Sequence, residues 1–492
     1  MALLQSWSLL LVCCVCIVWL TKRIMQASNN PLNQVPGPWY ARYTHYVLKL
    51  NVLCARRMYY IEELHKKYGP FVRVAPNEVA VNDLKAFRQI HSMGSGFLKD
   101  PWYQSLSLQP EPGIFSMIDP EQHVTRRRVL ARAFSLSSLR ENWEPAIHER
   151  ARIAVQQIKD NAKRGDVDML KWWTLMTNDI LSYLCFAEKF DMVERGEKAE
   201  YVLVLERVAL QGGLLSELPL LYKILRYVPL ALVQKIMEAT EDLEEWGDHA
   251  IKNLRRAGNK GSRNIFADFL EEVDKSGGKP GLTERSVRLE AGNFVVAGSD
   301  TTAVTITYLI WACLKRPDLQ RDLEEEVASV RSFEDASLAT LPLLNAVVEE
   351  ALRVYGAAPG SLPRAVPPGG ATFGKYYLPE KTTVSTQAYS MHRKPDIFHN
   401  PEVFDPSRFL PPSSLTDDQK SALCAWGAGS RVCLGVHLAK MEMRIAVAFF
   451  FRECRGARLS RTTTDASMHA LNFFMTTPIG RRCNVTLLPE DQ

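Results

Sequence analysis

The sequence predicts a mainly helical protein with a small β region, and three stretches carry this prediction. Residues 141–246 show long amphipathic patterns in which apolar side chains recur at helical spacing. A second long helix, more apolar than the others, is predicted over residues 290–314. By contrast, residues 71–76 and 78–81 have the composition of strands and follow a turn at Gly69, which predicts one β-hairpin.

Length and composition bound the function without identifying it. The 492 residues allow one large enzyme domain or roughly two to three average domains, and the 46% hydrophobic content supports a sizeable core. A net charge of +5 is too small to indicate nucleic acid, so no nucleic-acid partner is predicted. The ten cysteines show no pairing rhythm, which favours a reducing compartment and no disulfide framework.

The first 23 residues have the composition of a membrane anchor. Residues 2–20 are predominantly apolar, and a helix of this length crosses a bilayer core of roughly 30 Å. Lys22 and Arg23 follow this run and no basic residue precedes it, which places the rest of the chain in the cytoplasm. A cleaved signal peptide is the alternative, but it requires a basic start and a suitable cleavage site.

Two further segments complete the predicted domain organisation. The prolines of residues 24–38 predict a semi-rigid hinge after the anchor, because proline resists helix formation. The main domain is then expected at residues 39–492. This gives an anchor, a hinge and one catalytic domain.

The middle of the apolar helix holds residues that helices disfavour. Gly298, Asp300 and Thr301 belong to the run Ala-Gly-Ser-Asp-Thr-Thr, and a glycine inside a helix costs about 1 kcal/mol relative to alanine. A chemical role explains their presence. Gly298 opens a notch for a small ligand, Thr301 bonds its hydroxyl to the preceding turn, and Asp300 exchanges protons. A helix end is the alternative, although apolar residues continue through Trp311.

Residues 426–435 form a glycine-rich loop that presents one cysteine at the start of a helix. Gly427 and Gly429 allow a tight turn, and residues that favour helix follow Cys433. Backbone N–H groups at a helix N-terminus stabilise a thiolate, and a thiolate can bind a metal. A lone cysteine excludes a four-cysteine zinc or iron–sulfur site at this loop. A buried structural cysteine is the remaining alternative.

The cysteine loop resembles the haem-binding loop of the cytochrome P450 superfamily, F-x-x-G-x-R-x-C-x-G, with Trp426 in place of the phenylalanine. The run at residues 297–302 is similar to the oxygen-activation motif of the same family, A-G-x-[DE]-T-[TS]. This resemblance implies that Cys433 is the axial thiolate ligand of the iron of haem b. It also implies that Asp300 and Thr301 are catalytic and supply protons.

The resemblance implies further partners for the haem. His123 and Arg127 lie four positions apart on a basic helix, and the family places such a pair against the haem propionates. Arg364 and Arg431 occupy positions where the family has additional propionate partners. A solvated basic face is the alternative interpretation of the helix. Its other arginines are predicted to face outwards: Arg126, Arg128 and Arg132.

A structural cluster is predicted from E-x-x-R spacing. Glu350 and Arg353 are neighbours on one helix face, and Arg408, in the run Pro-Ser-Arg-Phe, completes the Glu–Arg–Arg cluster of the family. Arginine suits this role because its planar fork holds a carboxylate with two hydrogen bonds. The spacing by itself does not distinguish this cluster from an ordinary charged helix face.

Three irregular segments are predicted around the pocket. Residues 94–112 are rich in aromatic side chains, and the resemblance implies a loop that caps the substrate. Residues 214–230 are very apolar but interrupted by prolines, and both a lid resting on the membrane and a core segment are open interpretations. Residues 470–478 are predicted to form a turn whose aromatic side chains floor the pocket.

The resemblance implies a haem-dependent monooxygenase that inserts one oxygen atom from O2 into a small apolar substrate. In its overall pattern the sequence is most similar to filamentous-fungal members that act on polyketides or terpenoids. Electrons are expected from NADPH through a separate NADPH–cytochrome P450 reductase, because nothing in the chain resembles a flavin or nicotinamide module. With the anchor, this implies a single-pass protein of the endoplasmic reticulum membrane whose catalytic domain is cytoplasmic.

Other functions fit the same motifs. A haem-thiolate isomerase or dehydratase uses the same cofactor without external electrons, although the Asp300–Thr301 pair speaks against it. A desaturase of the same fold and a non-catalytic haem sensor are further alternatives. The reductase is predicted to dock on basic residues near the cysteine loop: Arg126, Arg128, Arg132, Lys440 and Arg444.

Overall fold

The computed structural model describes residues 24–106, 111–186, 188–259, 264–276, 282–413 and 415–487, together with residues 14, 18, 21 and 22. The predicted anchor at residues 1–23 therefore lies almost entirely outside the described residues. The chain divides into two compact units. The sheet unit comprises residues 1–100 and 360–391, and the helical unit comprises residues 101–359 and 392–492.

The described residues are mainly helical, as the sequence predicts. In chain order the α-helices are α1 (Tyr46–Leu53), α2 (Arg57–Tyr68), α3 (Leu84–His91), α4 (Trp102–Ser105), α5 (Pro120–Ala133), α6 (Leu136–Asn142), α7 (Glu144–Ala162), α8 (Met169–Phe186), α9 (Met192–Arg195), α10 (Glu200–Glu217), α11 (Pro219–Leu225), α12 (Ala231–Met237), α13 (Ala239–Asn259), α14 (Ala267–Ser276), α15 (Glu284–Leu314), α16 (Pro317–Ser329), α17 (Asp335–Leu338), α18 (Pro342–Tyr355), α19 (Ala388–Met391), α20 (Asp417–Ala422) and α21 (Val436–Glu453). The amphipathic helices predicted over residues 141–246 correspond to α7–α13.

The strands are short. In chain order they are β1 (Phe71–Ala75), β2 (Glu78–Val81), β3 (Leu98–Lys99), β4 (Val167–Asp168), β5 (Ser361–Ala365), β6 (Ala371–Phe373), β7 (Tyr376–Leu378), β8 (Thr383–Gln387), β9 (Arg458–Leu459), β10 (Ala470–Asn472), β11 (Thr476–Pro478) and β12 (Asn484–Thr486). Single 3₁₀ turns occur at Pro31–Gln34, Trp39–Arg42, Pro406–Phe409 and Gly429–Arg431.

One five-stranded sheet organises the sheet unit, in the order β1-β2-β8-β5-β3. β2 and β8 run parallel, with Glu78 opposite Thr383, whereas the other neighbouring strands are antiparallel. The predicted hairpin is confirmed, since β1 and β2 pair antiparallel with Phe71 opposite Val81. The small β region expected from the sequence is therefore present, and it extends to strands far apart along the chain.

Within the predicted hinge at residues 24–38, residues 24–28 are helical and the proline-rich residues 29–38 pack onto this sheet. Leu32 and Val35 are buried in the apolar core of the sheet unit. The backbone N–H of Arg73 in β1 donates to Pro36 O at 2.8 Å. The prolines keep the segment out of a long helix, and the two apolar side chains between them fix it to the sheet.

The helical unit is built around α15, which packs most closely against α8. α15 begins earlier than predicted, at Glu284, because the side chains of Thr283 and Ser286 form a capping box there. A Cβ atom at position 298 would lie 3.0 Å from Leu181 Cδ1 in α8. The notch expected at Gly298 is thus filled by α8, and this glycine serves the close packing of two helices.

The apolar segment at residues 214–230 lies at the surface. It comprises the end of α10, the short helix α11 and the turn that leads to α12. Leu220 is 72% exposed and Tyr227 is 88% exposed. This exposure rules out the interpretation of the segment as part of the core.

Among the described residues, α15 is the one helix that is long and apolar enough to cross a membrane. Its most apolar stretch is 72% buried inside the protein. Such burial is expected for the central helix of a folded unit, which must be apolar on most of its faces.

Candidate active site

The cysteine loop turns twice through left-handed backbone before α21 begins. Gly427 and Gly429 have φ angles of 74° and 64°, which side chains other than glycine rarely adopt. The backbone N–H of Cys433 then donates to Trp426 O at 2.8 Å and closes the loop. The side chain of Cys433 is exposed, whereas that of Cys424 is buried. The loop therefore presents a single accessible sulfur next to the N-terminus of α21.

Opposing effects act on the Cys433 thiol. Although the side chain is accessible, the protein around it desolvates the thiol and raises its pKa, whereas the Gly435 N–H and the Arg127 guanidinium act to lower it. The N–H group and the guanidinium favour the thiolate, but burial outweighs them. The thiolate therefore needs a further positive charge close to the sulfur. A metal ion bound at the sulfur supplies that charge and removes the proton.

The ligands available in the described part of the chain restrict the kind of metal site. Those residues contain no group of three or more His, Cys, Asp or Glu side chains able to hold a metal ion. The cysteine loop offers a single thiolate donor, and this donor fits haem, whose macrocycle would carry the other ligands of the iron.

α5 contributes two of the predicted haem partners. Arg127 donates from Nη1 to Val432 O at 2.8 Å, so this side chain lies directly against the cysteine loop. His123, one turn earlier, is buried. Both side chains point into the protein, which rules out a fully solvated face for this part of the helix.

The other arginines of α5 divide into two groups. Arg128 and Arg132 are exposed, as predicted. Arg126 is only 1% exposed and pairs with Glu290 of α15, so the prediction that it faces outwards is wrong. The error arises because its partner lies 164 residues away along the chain.

Two other predicted propionate partners occupy different surroundings. Arg431 donates from Nη1 to Met117 O at 2.7 Å and from Nη2 to Ile118 O at 2.9 Å, which ties the cysteine loop to the chain before α5. Arg364 belongs to β5 of the sheet unit and is buried there, opposite Val384 of β8. All the other predicted site residues belong to the helical unit.

α15 has one accessible face in its middle. From Thr302 to Leu314 every residue is buried, whereas Ala297 is exposed and Thr301, one turn later, is partly exposed. Thr301 donates from Oγ1 to Ala297 O at 2.7 Å, which is the bond to the preceding turn that the sequence predicts. The helix continues to Leu314, so a helix end at this motif is ruled out.

Asp300 points to a cavity of about 770 Å³ between α8, α10, α15 and the β10–β11 turn. Burial raises the pKa of Asp300, while Lys198 lowers it and Glu206 raises it further. Lys198 and Glu206 form an ion pair at the edge of the same cavity. Apolar side chains make up much of the remaining lining, among them Val202, Leu205, Val296, Phe473 and Phe474.

The predicted Glu–Arg–Arg cluster is assembled in the helical unit. Arg353 holds Glu350 with two hydrogen bonds of 2.7 Å, from Nε and from Nη2. Arg408 Nε lies 3.5 Å from the same carboxylate. Arg353 also donates to three backbone carbonyl oxygens, those of His392, Pro401 and Val403. The cluster therefore fixes the chain between β8 and the cysteine loop.

Sequence reasoning missed His392, which joins this cluster to Cys424, just before the cysteine loop. Its Nε2 accepts from the backbone N–H of Cys424 at 2.9 Å, and its Nδ1 lies 2.8 Å from Arg353 O. These contacts require a neutral ring with the proton on Nδ1. Burial lowers the pKa of His392 to about 3. A single histidine with no motif around it gave no signal in the sequence.

Glu442 of α21 was also missed. Its side chain is buried, and burial raises its pKa well above the ordinary value, a shift that the nearby Thr302 hydroxyl opposes only in part. Burial of this kind favours the protonated form of a carboxyl. Glu442 thus lies close to Thr302, the residue that follows Thr301.

Comparison with known proteins adds an independent result. The family model described as Cytochrome P450 matches residues 36–482. Two fungal relatives are each 41% identical: cytochrome P450 monooxygenase stcB of Emericella nidulans, over 95% of this chain and 90% of the relative, and cytochrome P450 monooxygenase aflV of Aspergillus parasiticus, over 95% and 94%. Methylphloroacetophenone oxidase of Cladonia uncialis is 33% identical over 77% of this chain and 86% of the relative.

Proposed function

The chain belongs to the cytochrome P450 family and is a monooxygenase with haem b as its cofactor, and from this membership we propose a fuller function. The enzyme inserts one oxygen atom from O2 into an apolar small molecule of a fungal secondary-metabolic pathway. Electrons come from NADPH through a separate NADPH–cytochrome P450 reductase.

One observation carries this proposal. The helical unit contains both an accessible cysteine, at the start of α21, and an accessible face in the middle of α15. Cys433 holds the haem iron, and Arg127, His123 and Arg431 hold the propionates from α5 and the cysteine loop. When bound, haem b supplies the oxygen-activating chemistry, which a thiolate ligand favours. The chain itself positions this cofactor, excludes bulk water and moves protons.

The proton steps fall to two adjacent residues of α15. The half-buried Asp300 carboxyl exchanges protons with water in the cavity at its side chain, and its raised pKa makes the protonated form easier to reach. Thr301 donates its hydroxyl to Ala297 O, which leaves the oxygen lone pairs available to receive a proton. Thr301 lies on the accessible face of α15, so its hydroxyl passes the proton onward.

The cavity favours an aromatic polyketide over a terpenoid. Its volume of about 770 Å³ is within the range of small-molecule sites, and its lining is mostly apolar. Phe474 on the β10–β11 turn contacts the rings of Trp102 and Phe115, with centroids 6.2 and 5.6 Å apart. Flat aromatic rings suit such surroundings because they stack or meet edge to face. One relative is named for oxidising methylphloroacetophenone, which is itself aromatic.

The enzyme is anchored in the endoplasmic reticulum membrane by residues 1–23, with the catalytic domain in the cytoplasm. The apolar surface of α11 and α12 supports this part of the proposal. Leu220, Tyr227 and Leu232 are largely exposed, and Lys223 and Arg226 lie among them. Apolar side chains with neighbouring basic groups bind the interface of an anionic membrane.

The test combines the full-length protein in membranes with NADPH, a cytochrome P450 reductase and a panel of fungal polyketides and terpenoids that includes methylphloroacetophenone. We expect NADPH consumption that depends on substrate, and a product heavier by one oxygen atom that carries the label of isotopic O2. Product formed without NADPH would identify an isomerase or dehydratase. A product that has only lost two hydrogen atoms would identify a desaturase.

A further inference from the structure

A buried ion pair joins α5 to α15 at a distance from the proposed catalytic residues. Arg126 Nη1 and Glu290 Oε1 lie 2.8 Å apart, and Glu290 has no exposed surface. Glu290 precedes Thr301 by about three helical turns, which corresponds to roughly 16 Å along the helix axis. The pair therefore does not take part in the chemistry directly.

Both members of the pair also hold the backbone of residues 112–118, here called the latch loop. Arg126 Nη1 donates to Pro112 O at 2.8 Å. Glu290 Oε1 accepts from the backbone N–H of Ile114 at 2.6 Å. The residue between them, Gly113, lies directly against α15. One acid and one base thus fix both sides of a single backbone turn.

The other parts of the latch loop reach the proposed active site. At its far end, Met117 O and Ile118 O accept the two hydrogen bonds from Arg431 of the cysteine loop. In its middle, the Phe115 ring lies 5.6 Å from that of Phe474, which lines the cavity beside Asp300. The loop therefore packs, through Phe115, against a residue of the cavity wall.

Stability alone does not account for the pair. Removing two charges from water is costly, and replacing a buried ion pair with apolar side chains is often neutral or stabilising. What apolar side chains cannot do is hold Pro112 O and Ile114 N in place. The contribution specific to Arg126 and Glu290 is therefore the conformation of the loop.

We propose that the Arg126–Glu290 pair is a latch that positions residues 112–118 and thereby sets the affinity of the cavity for its ligands. Both are positioning residues and not catalytic residues. The inference rests on the proposed function only in taking the cavity as part of the substrate site.

The main variant is Arg126→Met combined with Glu290→Leu, which keeps apolar bulk and removes both loop contacts. Arg126 is compared with Arg132, an exposed arginine of the same helix, so Arg132→Met is the matched control. If the pair contributed only to stability, the double variant would show the same loop exchange and the same ligand affinity as this control.

A second variant acts on the loop while both charged side chains of the ion pair remain present. A Cβ atom at Gly113 would lie 2.3 Å from Asn293 Nδ2 and 3.4 Å from Glu290 Oε2 in α15, so Gly113→Ala forces the latch loop or the Asn293 side chain to shift. Its effects should match those of the double variant. This variant keeps the proposal testable if the double variant folds poorly.

The first measurement is hydrogen exchange of residues 112–118 in the haem-loaded enzyme. The second is spectral titration with two probes, 4-phenylimidazole, whose ring needs space in the cavity, and imidazole, which does not. In both latch variants we expect exchange in the loop to accelerate at least about tenfold, the effect of losing one or two hydrogen bonds. The affinity for 4-phenylimidazole should fall by a similar factor, while that for imidazole stays the same.

Exchange and 4-phenylimidazole affinity equal to those of Arg132→Met in both latch variants would overturn the proposal. The carbon-monoxide spectrum of the reduced enzyme should be the same in all four proteins, since no variant touches Cys433. A wild-type spectrum without the thiolate band would contradict the proposed haem ligation, whereas the exchange comparison still decides the latch.

Discussion

At the scale of single residues, Thr301 differs from Thr305 and Thr307 of α15 in its accessibility and not in its hydrogen bond. Thr301, Thr305 and Thr307 all donate their hydroxyls to the carbonyl one turn earlier, at 2.7–2.8 Å. Thr305 and Thr307 are buried, whereas Thr301 is partly exposed on the open face of the helix. Only Thr301 therefore combines this bond with access to a ligand.

Thr301→Ala should leave haem incorporation intact and divert electrons to hydrogen peroxide, because it removes the hydroxyl that passes protons onward. We expect the amount of product per NADPH consumed to fall several-fold. Thr305→Ala is the matched control, since it loses the same kind of hydrogen bond from a buried position. Equal ratios in the two variants would mean that protons reach oxygen by another route.

His392 should make stability depend on pH. Burial lowers its pKa to about 3 from an ordinary value near 6.5, so the unfolded chain binds a proton more readily than the folded one. The stabilisation is complete above about pH 6.5 and is lost as the pH falls towards 3, by up to about 1.4 kcal/mol per pH unit. His392→Gln should flatten this slope in urea-unfolding measurements relative to the unmodified protein. An unchanged slope in His392→Gln would show that the ring is not held neutral.

At the scale of elements, the basic helix α5 carries arginines with different roles. Arg127 contacts the cysteine loop and Arg126 holds the latch loop, while Arg128 and Arg132 remain exposed. Two residues predicted for reductase docking on α21 are also engaged elsewhere. Arg444 is buried beside Asp335, and Lys440 pairs with Glu349. Among the residues proposed for docking, Arg128 and Arg132 are therefore the exposed ones.

Charge reversal at Arg128 and Arg132 should weaken reductase docking. Exposed charges are screened beyond roughly 8 Å at physiological salt, so the effect should appear mainly in the association rate. We expect a higher reductase requirement and a flatter salt dependence in Arg128→Glu/Arg132→Glu. Arg164→Glu, at an exposed position outside α5, is the control. If the double variant and this control behave alike, docking occurs on another surface.

The features that could be predicted from the sequence are those whose residues lie close together along the chain. The bond of Thr301 to Ala297, the Glu350–Arg353 pair and the turn at Gly427 depend on residues within a few positions of one another. The partners of Arg126 and His392 are distant along the chain, so no spacing rule shows that these side chains are buried. Gly298 was visible as an anomaly, but its reason is the approach of α8.

At the scale of the whole molecule, two separate surfaces are proposed to meet the membrane. Removing residues 1–23 should greatly reduce membrane association without abolishing haem binding. Leu220→Ser/Leu232→Ser, within α11 and α12, should remove most of the residual association, because both side chains are more than two-thirds exposed. Flotation of the truncated proteins with anionic vesicles measures both effects. Loss of haem binding on truncation would show that the first segment is structural.

The central claim is that Cys433 is the thiolate ligand of haem b in this monooxygenase. Its most direct test is the carbon-monoxide difference spectrum of the reduced protein in Cys433→Ala and in Cys424→Ala, the latter removing the buried cysteine nearest along the chain. We expect the red-shifted thiolate band to disappear in Cys433→Ala and to remain in Cys424→Ala. A red-shifted band that persists in Cys433→Ala would contradict the account.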